Sequence, residues 1–102
     1  MHLVRIEWLS KNEGGRKTPP PSAGRYFSVA RFPEDINWQN NAWSVVFEIE
    51  STVKSDGKDN EYISGGCVSF LMDTAPKERM ETNEYFDIYE GPKKVARVFL
   101  LS

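Results

Sequence analysis

Few residues in this chain are equipped for chemistry. Cys67 is its one thiol and His2 its one imidazole, so a cysteine nucleophile would need the chain terminus to supply its base. The competing role for Cys67 is that of a small packed hydrophobe. Glu48 and Glu50 stand two positions apart, which on a strand puts both carboxylates on one face, roughly 7 Å from each other. That spacing suits an acid/base pair, but it is ordinary in any solvent-facing strand, and no nearby apolar cluster would separate their pKa values. Arg16, Lys17, Arg25, Lys93 and Lys94 flank predicted turns. Long cations there either face phosphates without reading bases or are solvated turn charges. Tyr26 and Tyr89 lie beside them and either stack bases or belong to the core and its rim. A single Cys and a single His leave no zinc-type ligand set and no internal disulfide. The expectation is a non-catalytic protein with no cofactor.

These side chains must be positioned by strands. Residues 3–9 alternate Val4, Ile6 and Trp8 with Arg5 and Glu7, the period-2 pattern of a strand with one buried face. The run Glu13-Gly14-Gly15-Arg16-Lys17-Thr18-Pro19-Pro20-Pro21 follows. Its glycines allow positive φ, and its prolines can neither donate to a ladder nor continue a helix, so the chain turns and then runs extended. Residues 25–32 predict a second strand ended by Pro33, and residues 34–41 a loop or one helical turn anchored by Ile36 and Trp38. Residues 43–50 are the clearest strand, with Trp43, Val45, Phe47 and Ile49 inward. Residues 54–60 are the most hydrophilic and read as an exposed loop. Ser64-Gly65-Gly66 predicts a tight turn, followed by a strand over 67–72 with Val68, Phe70 and Met72 on one side. Residues 83–89 and 93–101 then form a hairpin across Glu90-Gly91-Pro92.

No segment shows helical periodicity, and the 102 residues suit one domain, residues 1–102, rather than two cores. The fold class predicted is all-β: a small closed antiparallel barrel of about six strands, closure removing exposed edges. Ile6, Trp8, Phe47, Ile49, Phe70, Phe86, Ile88 and Val98 are expected inside. Thirteen per cent of residues are aromatic, which favours a packed core over disorder. The net charge of −2 is unevenly distributed. Residues 1–31 hold six Lys/Arg against two Asp/Glu, residues 34–90 four against thirteen, and the end adds Lys93, Lys94 and Arg97. If the two basic ends meet, one face is cationic. The absence of a long apolar run and the reduced cysteine lead to an expected cytoplasmic location without membrane contact.

The stretch Leu9-Ser10-Lys11-Asn12-Glu13-Gly14-Gly15-Arg16-Lys17-Thr18-Pro19 resembles the start of the third, C-terminal β-barrel domain of elongation factor Tu, where a strand ends in Lys-x-Glu-Gly-Gly-Arg-x-Thr-Pro. The resemblance continues through the strand at 45–50, Gly65-Gly66, the strand at 68–72 and Phe86-Asp87-Ile88-Tyr89-Glu90-Gly91, and so covers most of the chain. It implies a free-standing copy of that barrel. The chain has no Gly-x-x-x-x-Gly-Lys-Ser/Thr loop, so neither nucleotide binding nor GTPase activity is expected. In the family this domain contacts tRNA, the exchange factor and its sister domains, and the resemblance maps two RNA-contacting turns onto Arg16-Lys17 and Glu90-Gly91; with the neighbouring Arg25, Tyr89, Lys93 and Lys94 these make up the expected partner site. Here Gly24 stands where the family has Tyr, and Tyr89 where it has Arg. The function implied is a binding module for a protein partner, translation-related or immunity/antitoxin-like. The alternative is structured RNA such as tRNA; DNA is not expected.

Overall fold

The computed structural model describes residues 1–34, 42–54 and 62–101. The loops expected at 34–41 and 54–60 therefore fall almost wholly outside the described residues. The described residues form six strands: β1 (His2–Trp8), β2 (Gly24–Arg31), β3 (Trp43–Lys54), β4 (Tyr62–Phe70), β5 (Tyr85–Glu90) and β6 (Lys93–Leu100). They close in the order β1-β4-β3-β2-β5-β6, with every neighbouring pair antiparallel. The expected all-β barrel is thus present. No helix among the described residues is long and apolar enough to cross a membrane.

Alternation decides what lies inside. Ile6, Val45, Phe47, Phe86, Ile88, Val95, Ala96 and Val98 are wholly buried, and Val4, Trp8, Ile49 and Val68 nearly so. Of the eight residues named as the core from sequence, only Phe70 is half-buried, and so is Trp43, expected to face inward. The ring of Phe70 packs 5.9 Å from that of Phe32, which lies 4.9 Å from Phe86.

In a six-strand ring β1 and β2 stand opposite each other, as do β4 and β5. The β1–β2 connection must therefore cross one end of the barrel, and the β4–β5 connection the other. The second crossing holds the one α-helix among the described residues, α1 (Arg79–Thr82), whose Met80 is buried together with Ala75. A single helical turn is too short to produce a periodic signal, and the sequence reading missed it.

The turn expected at Gly65-Gly66 is not there: both glycines lie within β4, opposite Ser51 and Ile49 of β3, where the register shifts by a residue. The reason is space. A Cβ on Gly66 would come within 2.1 Å of the Glu48 carbonyl oxygen, so glycine is what lets the two strands approach at the bulge. β4 also begins before the expected strand and ends at Phe70. Met72, expected on the same side of the strand as Val68 and Phe70, lies beyond it and is exposed. Cys67, weighed as a buried hydrophobe, points to the outer face and is half-buried, paired with Leu3 on one side and Glu48 on the other.

Candidate partner-binding end of the barrel

The Gly/Pro connection is built from its backbone outward. Ser10 and Glu13 cap a 3-10 turn (Lys11–Glu13), Ser10 N–H and Oγ each lying 3.0 Å from Glu13 Oε1. The backbone bond first, then the hydroxyl, holds the Glu13 carboxyl below its ordinary value. Gly14 then reverses the chain at φ 88°. Gly15 N–H donates to Ser10 O at 2.9 Å, with Leu9 O so near that a Cβ would meet it at 2.2 Å.

That turn is latched to the β5–β6 hairpin. Arg16 Nη1 donates to Glu90 Oε2, which also accepts from Tyr26 Oη at 2.5 Å; Lys93 Nζ donates to Gly15 O at 3.1 Å. The Arg16 guanidinium lies 5.8 Å from the centre of the Tyr26 ring, and its Nη2 is 3.4 Å from Thr18 Oγ1. Burial, reinforced by the hydrogen bond to Glu90, pushes the Tyr26 hydroxyl up to about 12. Tyr26 packs against Trp8 and Phe47 with ring centres 5.4 and 6.0 Å away, so it is a core ring with its hydroxyl at the barrel mouth.

The first turn and the last hairpin therefore meet, bringing Arg16, Glu90 and Lys93 together beside Gly91. The remaining residues of the expected site disperse. Arg25 points outward to Glu48 at 2.9 Å, and Lys94 reaches Asp87 at 3.1 Å, a carboxylate that Arg97 also holds at 2.8 Å. Tyr89 lies under the Arg31 guanidinium, 5.3 Å from ring centre to carbon, with Arg31 Nη1 3.3 Å from its hydroxyl. Most cations of the expected patch thus already have anionic or carbonyl partners. Lys17 is exposed and without a side-chain acceptor among the described residues.

Three residues that the sequence reading did not assign to this site anchor the proline run. Trp8 Nε1 donates to Ser64 Oγ at 2.8 Å, Ser64 Oγ lies 2.6 Å from Thr52 Oγ1, and Thr52 donates to Pro21 O at 2.7 Å. An indole N–H only donates and a carbonyl only accepts, so the chain has one direction: Trp8 to Ser64 to Thr52 to Pro21. The residues are 56 and 12 positions apart along the chain, so no local motif could have marked them.

Between this anchored run and the barrel wall is a half-open cleft of about 240 Å³, with Trp8, Leu9, Tyr62, Pro19 and Pro20 as walls and Lys11, Arg16 and Lys17 at its rim. The outer sheet face is different in character. Phe27 of β2 pairs across with Val46 of β3, Leu3 of β1 with Cys67 of β4, and Met1 and Leu71 flank them. Leu3, Phe27 and Leu71 are 52, 56 and 51% exposed; Met1, Phe27, Val46, Cys67 and Leu71 share one shallow surface that also takes in the Arg25–Glu48 ion pair, and the Arg5–Glu7 pair lies further along β1. Among the described residues no group of three His, Cys, Asp or Glu could hold a metal ion. No family model, curated protein or solved structure matches this chain.

Proposed function

We propose that this chain is a non-catalytic module that binds another protein through the outer face of β1, β4, β3 and β2. The observation that carries the reading is the apolar surface of Met1, Phe27, Val46 and Leu71, side chains that leave water only when something covers them. Burying such a centre while a polar rim stays wet is how protein interfaces gain affinity. The Arg25–Glu48 charges on this face, and Arg5–Glu7 along β1, are already paired within the chain, so the complementary surface is largely apolar and nearly neutral. The resemblance to the third domain of elongation factor Tu, a barrel that works by docking, points the same way and leaves a translation-related or immunity-like role as the wider setting.

Tagged wild type and Phe27→Asp are each compared by affinity capture from the native host at two salt concentrations, and the recovered partner is then purified and titrated directly. A 1:1 complex that survives moderate salt and weakens at least tenfold with Phe27→Asp is the expected result. The competing reading uses Arg16 and Lys17 with Lys93 and Lys94 on structured RNA. Labelled tRNA binding that falls with a log-log salt slope of about −0.7 to −0.9 per phosphate contact, and that disappears when Arg16 and Lys17 are changed to Glu, would replace the protein reading.

A further inference from the structure

We infer that the cleft at the mouth of the barrel is a binding site for a small oxyanion carried on a flat ring, an aryl carboxylate or aryl phosphate. This site is separate from the outer face and does not depend on the protein-binding reading.

Charge is the first argument. Of the cations lining the cleft, Arg16 is answered by Glu90, but the ammonium groups of Lys11 and Lys17 have no side-chain acceptor among the described residues. No described lining residue is a carboxylate. The described lining is therefore net positive, and Arg16 Nε, shielded beside it, also lacks an acceptor among the described residues. Lysines on flexible stems suit a small anion, because each can swing its point charge onto a separate oxygen.

Shape and wall chemistry supply the second argument. The wall residues are Trp8, Leu9, Pro19, Pro20 and Tyr62, two aromatic, one aliphatic and two prolines. Such walls favour an apolar plate over an extended polar chain. A cavity of about 150 Å³ holds one benzene ring, so the 240 Å³ here takes a ring with one anionic head and little more. The walls are also pre-set. Trp8 is fixed by Ser64, and the proline run by Thr52 through Pro21 O, so a ligand would not have to order them.

Benzoate and phenyl phosphate are titrated into the full chain with benzamide and inorganic phosphate as controls, following the indole N–H resonance of Trp8. Saturable binding of at least one aryl oxyanion is expected, at least tenfold tighter than benzamide and than inorganic phosphate. A Lys11→Glu, Lys17→Glu variant, exposed at both positions and checked for an unchanged spectrum elsewhere, should lose it, whereas Phe27→Asp should not. Failure of both aryl oxyanions to saturate, equal binding of benzamide, equal binding of inorganic phosphate, or indifference to the charge reversal each overturns the inference. None of these outcomes bears on the outer face, whose test is capture of a protein partner.

Discussion

A side chain's cost of removal depends on whether its surroundings can collapse after it. Phe47 is fully buried at the centre of the core, ringed by Tyr26 and Phe86. Phe47→Ala should destabilise by about 3 to 5 kcal/mol in a denaturant titration. Cys67 is the opposite case. It is half-buried on the outer face, so Cys67→Ser should change stability by no more than about 0.5 kcal/mol, and a thiol reagent should label the native protein without prior unfolding. Ser64 is small but takes the Trp8 indole N–H and stands wholly buried. Ser64→Ala should cost about 1 to 3 kcal/mol by orphaning that donor, with a shift in Trp8 fluorescence as the local sign.

At the scale of elements, β3 and β4 pair across a register shift that only a residue without a side chain permits. Gly66→Ala should cost about 1 to 3 kcal/mol, the price of forcing packed backbone apart. Gly65→Ala, one residue away and facing open space, should be tolerated; equal effects in thermal melts would show that the close approach is not what selects glycine. The same strand marks how far the sequence could be read. Alternation in residues 3–9 and 43–50 gave β1 and the buried half of β3 because one face of each is apolar and the other polar. It failed at Ser64-Gly65-Gly66, where glycine serves proximity to a neighbouring strand rather than a turn, and that neighbour is remote in sequence. The site was legible to the same degree. Arg16, Glu90 and Lys93 do converge, as two basic ends meeting would require, but the pairing of Arg25 with Glu48 and of Lys94 with Asp87 depends on cross-strand register, which composition does not carry.

For the molecule as a whole, the latch of Arg16, Glu90 and Tyr26 ties the barrel's mouth to its stability in alkali. Tyr26 ionises at about 12 in the folded chain against 10.0 when unfolded. The neutral hydroxyl is favoured by folding, so this contribution is complete below pH 10 and is lost as pH rises from 10 towards 12. Melting temperatures across that window should fall less steeply for Tyr26→Phe than for wild type. An unchanged slope would mean that the hydroxyl is not held in the core.

Closure of the sheet also orders events in time. The seam of the barrel joins β1, near the start of the chain, to β6, which follows every other strand. Until β6 emerges from the ribosome, β1 and β5 each keep an open edge, and the apolar lining of Val4, Ile6 and Phe86 has no lid. Contacts so far apart in sequence form late and slowly, and an unpaired edge is a template for other chains. A nascent copy is therefore at its most vulnerable once β5 has emerged and β6 has not, when a chaperone would have most to hold.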